Sequence, residues 1–214
     1  MEYYTSTTEF NCGIDLHTKM MYICVMDREG NKLVHKNIKG NDFTFFLKLV
    51  APYQHSLTVV SECCYNWYWL ADACMDADID FVLAHALYLN HIHGGKNKND
   101  RLDSEKLAHL LRTNLIPQSY VYPKERRPMR ALLRQRMSYV WERATLLGHL
   151  QMNQQSEGLV PVAKGGLNRD VWEERVLSHY TDPLHRLAVK CDMDLIRSYD
   201  YRIELMDQRL AEQA

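Results

Sequence analysis

Apolar residues in the first hundred positions switch between two periods, two residues for strands and three to four for helices. Ile14 and Leu16, then Tyr22 to Met26, carry the strand pattern; Asp27-Arg28-Glu29-Gly30-Asn31 is a turn, and Leu33 to Ile38 alternates apolar with polar. A β-hairpin is therefore expected near the start. In residues 42–50 the spacing of Phe43, Phe46, Leu47 and Val50 marks one helical face, with Asp42 as its N-cap. Leu57 to Ser61, rich in β-branched residues, predicts a strand ending at Glu62. Trp67, Leu70, Ala71 and Cys74 return to helical spacing, and Phe81 to Ala84 after Asp80 reads as a short buried strand. A Gly, Asn and Lys loop occupies residues 93–99, and Leu102 to Leu115 predicts a helix with Leu107, Ala108, Leu111 and Leu115 inward. Pro117 and Pro123 close the region. Strands interleaved with helices predict an α/β domain, a sheet sandwiched between helices.

From Pro128 the character changes. Leu133, Met137, Val140, Ala144 and Leu147 step by fours and threes, the heptad seam of a long helix that needs a partner. Residues 157–168 read as a Gly-rich linker, and a second long helix begins near Pro183 with Leu184, Leu187, Cys191, Leu195, Tyr199, Ile203, Met206 and Leu210 at helical spacing. The two helices are expected to pair with each other or across a dimer. The division expected is an α/β domain over residues 1–124 and a helical, coiled-coil-like appendage over 125–214. The second helix runs on without Gly, Pro or a compact ending, so a longer parent protein is expected.

Composition narrows the class without naming a partner. Of 214 residues, 46% are apolar and 25% charged, which excludes collagen-like and wholly disordered chains, and the formal charge of -1 hides any preference. The best apolar run, Phe81 to Leu89, is about half the length of a membrane span and contains His85. No basic and apolar leader precedes Phe10, and the six cysteines form no CxxC pair, so reduced thiols in a cytoplasm are expected. Charge does cluster locally. Residues 121–150 hold Lys124, Arg126, Arg127, Arg130, Arg134, Arg136 and Arg143 against Glu125 and Glu142. Arg127, Arg130 and Arg134 share a helical stripe that suits a phosphate backbone as well as it suits solvent.

Four acids carry the candidate chemistry. Asp15 lies inside the first strand, where a carboxylate is costly unless something binds it. Glu62 stands where a later strand ends, and Asp100 and Asp103 share one face at a loop-to-helix junction. Taken alone, Asp100 or Asp103 reads equally as a helix N-cap, and Glu62 as the cap of the helix near Tyr65. Gathered together, four carboxylates need a cation, and hard Mg²⁺ is the natural one. Two such ions would support phosphoryl transfer on nucleic acid. Other chemistries lack their motifs. Gly94-Gly95-Lys96 misses the frame of a nucleotide-binding loop, no nucleophile elbow occurs, and His85, His91 and His93 have no zinc spacing. The aromatic group Tyr65, Trp67, Tyr68 and Trp69 offers a base-stacking surface, although Trp67 has core spacing.

The order Gly13-Ile14-Asp15-Leu16-His17, Ser61-Glu62, Lys98-Asn99-Asp100-Arg101-Leu102-Asp103-Ser104 and Arg130-Ala131-Leu132-Leu133-Arg134-Gln135-Arg136 resembles the DEDD-type transposases of bacterial insertion sequences. Within these it is most similar to the IS one-ten group, especially its eleven-eleven branch, over about residues 11–155. That resemblance implies a RuvC-like, ribonuclease-H-type mixed sheet flanked by helices. It implies that Asp15, Glu62, Asp100 and Asp103 are the catalytic residues and the ligands of Mg²⁺, with Mn²⁺ as substitute. It further implies cleavage and rejoining of DNA during transposition, a structured guide RNA, a homo-oligomer through the long helices and a second domain with a serine nucleophile. Lys96, Lys98, Arg101, Arg127, Arg130, Arg134 and Arg136 are the expected nucleic-acid contacts. Asn99, Ser104 and Tyr65 depart from the family's usual residues, which touches packing and spares the acids. A Holliday-junction-type nuclease and a catalytically idle nucleic-acid-binding remnant are the alternatives.

Overall fold

The computed structural model describes residues 2–92, 99–162 and 168–213. The chain divides into two compact units, Met1–Val121 and Tyr122–Ala214.

In the first unit the strands β1 (Tyr3–Tyr4), β2 (Phe10–Leu16), β3 (Met20–Met26), β4 (Lys32–Lys39), β5 (Leu57–Glu62), β6 (Asp80–Ala84) and β7 (Ile116–Ser119) form one sheet. Their order is β1-β7-β6-β5-β2-β3-β4. β2, β3 and β4 are an antiparallel meander, while β5 runs parallel to both β2 and β6. The helices are α1 (Phe43–Val50), α2 (Tyr68–Asp76), α3 (Ala86–Ile92) and α4 (Asp100–Arg112). This is the expected RuvC-like mixed sheet flanked by helices. The meander turns at Asp27, whose carboxylate accepts from the Asn31 backbone at 2.8 Å, while Gly30 at φ 93° supplies the left-handed step. Asp42 caps α1 as expected, accepting from the Phe45 N–H at 2.9 Å.

Strand alternation sends the side chains of β2 to opposite faces. Cys12, Ile14 and Leu16 join Phe46, Val50, Trp67, Leu70 and Cys74 in a core beneath α1 and α2. Val60, Val82 and Ile116 pack with Leu107, Leu110 and Leu111 of α4 in another. The expected core role of Trp67 is met. Leu115 is a correction: α4 stops at Arg112, Asn114 turns left-handed at φ 59°, and Leu115 is left 46% exposed. β1, β7 and α3 have no counterpart in the sequence pattern, and the 93–99 loop lies outside the described residues except for Asn99.

The second unit contains α5 (Arg127–Ser156), α6 (Arg169–Ser178) and α7 (Pro183–Ala211). The long helices are where the heptads put them, and of the expected seam Ile203 is buried and Leu147 packs against the apolar cluster, but most of the other positions are not covered. Leu133, Met137 and Ala144 are exposed on α5, as are Leu184, Leu187, Cys191 and Leu195 on α7. The contact between α5 and α7 instead uses Arg136 with Asp207, Arg143 with Asp200, and Leu150 beside Met193. Each step of seven along α5 matches a step of seven back along α7, so the helices are antiparallel. Charged residues occupy seam positions, which is why the apolar heptads fall on neighbouring stripes. α6, which has no counterpart in the sequence pattern, adds Trp172 and Val176 to a cluster with Leu150, Val189, Met193 and Ile196.

Asp200 is only 11% exposed and takes both Arg143, at 2.5 Å, and Arg169. Asp200→Ala would leave the Arg143 and Arg169 guanidinium groups without their shared counter-charge, a loss of about 2 kcal/mol given that both arginines keep partial solvent access. Thermal melting of the full chain should show the helical transition shifted down; an unchanged melt would mean that water replaces the carboxylate without cost.

Candidate metal centre

Gly13 and Asp15 are two apart on β2 and face the same side of the sheet. α4 lies across that side at very short range. A Cβ on Gly13 would sit 2.2 Å from the Ser104 carbonyl oxygen and 2.4 Å from the Ala108 nitrogen. Only glycine admits this approach, which carries the first turn of α4, with Asp100 and Asp103, toward Asp15. Ser104 fits because it is small and its hydroxyl donates to the Arg101 carbonyl at 3.0 Å.

The cap of α4 is Asn99, whose side-chain oxygen accepts from the Arg101 N–H at 3.1 Å. Neither Asp100 nor Asp103 is spent as a cap. His35 on β4 donates from Nε2 to the Arg101 carbonyl at 2.9 Å, fixing the same turn from the meander. Glu62 ends β5; Ile14 pairs with Ser61, so Asp15 and Glu62 are the next residues along two adjacent parallel strands. The cap of α2 is Trp67, not Glu62.

His17 joins the acids. Its Nε2 lies 3.1 Å from Asp15 Oδ2 and 3.3 Å from Asp100 Oδ1. Among the described residues, Asp15, His17 and Asp100 form a group whose donor atoms all lie within 4.8 Å of one another. Asp103 is not in that triplet and bonds Lys106 at 2.9 Å, yet its charge still reaches Asp15. Burial is the largest influence on Asp15 and raises its pKa above the ordinary carboxylate value; His17 opposes this by charge and hydrogen bond, and Asp100 and Asp103 add to the rise. A half-buried carboxylate facing two more is a site that gains from a cation.

The backbone around His17 is held from three sides. Its N–H donates to the Met20 carbonyl at 2.9 Å, and its own carbonyl accepts from Asn41 at 3.0 Å and Asn66 at 3.2 Å. The Tyr65 hydroxyl bonds that of Thr18. Tyr65 thus ties the segment after Glu62 to the turn after Asp15 through its hydroxyl, while its ring stays exposed.

Of the expected nucleic-acid contacts, Lys96 and Lys98 lie outside the described residues, and Arg101 is exposed on the first turn of α4. Arg127 donates to the Tyr122 carbonyl at 2.9 Å, Arg130 lies over the Tyr122 ring at 4.5 Å, and Arg134 is exposed. Arg136 donates twice to Asp207, and Arg143 donates to one oxygen of Asp200. His17 is not among the residues expected from sequence, although it stands in the Gly13 to His17 motif. A single histidine past a strand end has no periodic signal, and only the fold brings Asp100 to it.

No helix among the described residues is long and apolar enough to cross a membrane. A model of the DEDD transposases of the IS110 (one-ten) group, described as transposase, matches residues 12–153. Comparison with curated proteins gives no match.

Proposed function

This chain belongs to the DEDD transposase family of the IS110 group, and on that premise we propose that Asp15, Glu62, Asp100 and Asp103 bind Mg²⁺, or Mn²⁺ in its place, for cleavage and rejoining of DNA at an insertion sequence. The observation that carries this reading is the convergence of Asp15 and Asp100 within one donor group, beside Asp103. The donor set is dominated by carboxylate oxygens, which suits a hard divalent ion. When bound, that ion would polarise the scissile phosphate and lower the pKa of an attacking hydroxyl or water.

The protein's own groups prepare the site. Gly13 sets the distance between β2 and α4, His35 and Asn99 fix the turn that holds Asp100, and Lys106 holds the Asp103 carboxylate. Arg127, Arg130 and Arg134, with Arg101 and the lysines of the 93–98 segment, are the groups for phosphate contact. A structured guide RNA is proposed alongside DNA as a ligand of the basic helix, whose affinity would fall with salt. Self-association is proposed through the exposed stripe Leu184, Leu187, Cys191 and Leu195. The serine-bearing domain implied by the resemblance would supply the nucleophile.

Calorimetric titration of the full chain with MgCl₂ and with MnCl₂, with and without duplex DNA, tests the metal site. Saturable binding that disappears in Asp15→Asn with Asp103→Asn is expected. Absence of binding under every condition would leave an idle nucleic-acid-binding protein.

A further inference from the structure

We propose that His17 is itself a metal ligand, supplying an imidazole nitrogen that turns the carboxylate centre toward Mn²⁺ over Mg²⁺. The proposal rests on the metal-binding reading above and adds to it a residue outside the four acids.

The first argument is geometric. Six donors at about 2.1 Å from a common ion stand roughly 3.0 Å apart along the edges of an octahedron. His17 Nε2 is 3.1 Å from Asp15 Oδ2 and 3.3 Å from Asp100 Oδ1. The nitrogen thus has the edge spacing of a donor to both of these oxygens, which come from different elements, β2 and α4.

The second argument concerns preparation. A ligand must be held before the ion arrives, and the backbone of His17 is held by Met20, Asn41 and Asn66, with Thr18 next to it bonded to Tyr65. Four contacts from three segments fix a turn only a few residues long. The ring itself stays 45% exposed, open to an arriving hydrated ion. Other histidines of the unit are engaged elsewhere: His35 on Arg101, His55 near Glu9, and His85 against the Tyr88 ring.

The third argument is chemical. Imidazole suits transition ions, whereas Mg²⁺ takes oxygen donors and keeps its waters. A site of carboxylates with one nitrogen therefore retains Mg²⁺ binding and gains disproportionately with Mn²⁺.

The test is pulsed electron paramagnetic resonance on the full chain loaded with MnCl₂, with histidine in natural abundance and then labelled with ¹⁵N. The expected result is nitrogen modulation that changes isotope pattern with the label and vanishes in His17→Gln. Calorimetry on that variant should show Mn²⁺ affinity reduced at least about tenfold, with Mg²⁺ affinity changed far less. Bound Mn²⁺ that is lost in Asp15→Asn but shows no histidine nitrogen, or a nitrogen that persists in His17→Gln, overturns the role of His17 and leaves the carboxylate site standing. No Mn²⁺ binding by the wild type, or binding indifferent to Asp15→Asn, overturns both. The labelled wild type alone overturns the proposal if no histidine nitrogen is seen, and His17→Asn as a second variant assigns the nitrogen to this residue should His17→Gln fold poorly.

Discussion

Asp15→Asn should remove divalent-metal binding, by more than about 100-fold in affinity, while making the metal-free protein more stable. The two effects have one origin. Asp15 is held half-buried with Asp100 and Asp103 close by, and its pKa is raised chiefly by burial, with the neighbouring charges adding to it. A raised carboxylate pKa means that the folded state binds this proton more tightly than the unfolded state does. The associated stability is present at low pH, below the ordinary value of about 4, and is lost as pH rises through the shifted pKa. At neutral pH the ionised group therefore works against the fold, and a neutral amide of the same shape relieves it. The melting temperature in chelator should be higher for Asp15→Asn than for wild type at pH 7, and the difference should shrink toward pH 4. Addition of Mg²⁺ should raise the wild-type melt and leave the variant where it was. A variant that melts lower than wild type in chelator would show that the His17 contact outweighs burial and repulsion.

Gly13→Ala should cost about 3 kcal/mol, on the order of 10 °C in melting temperature for the first unit. The added methyl meets backbone rather than a flexible side chain, the Ser104 carbonyl at 2.2 Å and the Ala108 nitrogen at 2.4 Å. α4 must move away from β2, since neither β2, paired on both sides, nor a helix nitrogen can yield alone. That movement separates Asp100 from Asp15, so metal affinity should fall although no donor has been removed. Calorimetry at a temperature where the variant remains folded separates the two consequences. Unchanged affinity in a destabilised variant would mean that the site adjusts independently of the helix position.

Much of the first unit was legible because its elements obey local rules. Asp42 caps α1, β5 ends at Glu62, and the spacing of Leu70, Ala71 and Cys74 marks α2. β7 was hidden by Pro117, which lowers strand propensity yet is tolerated in a four-residue strand. β1, two residues long, is too short for a period. α6 buries Trp172 and Val176 with little amphipathic pattern around them. The acids were found from their order along the chain, but the sequence could not say which of them meet. Gly13 stands in the motif without declaring its purpose, because a close approach of two backbones leaves no trace in the side-chain pattern. The seam of the second unit is only partly legible, at Leu147 and Ile203, for a related reason: Arg136, Arg143, Asp200 and Asp207 read as surface until each is matched with its opposite.

That seam makes the α5 and α7 hairpin a zipper with a welded end and a soft end. Leu150, Trp172, Val176, Val189, Met193 and Ile196 close one end with apolar contacts that salt does not weaken. Toward the other end the closure is Arg136 on Asp207, both part-exposed, where ionic strength screens the attraction and an anion can compete for the guanidinium. Opening there requires no unfolding of the welded end. On a helix of 3.6 residues per turn Arg136 stands about 200° from Arg134, so an anion that displaces Asp207 would free a guanidinium on a second face of α5, apart from the stripe of Arg127, Arg130 and Arg134.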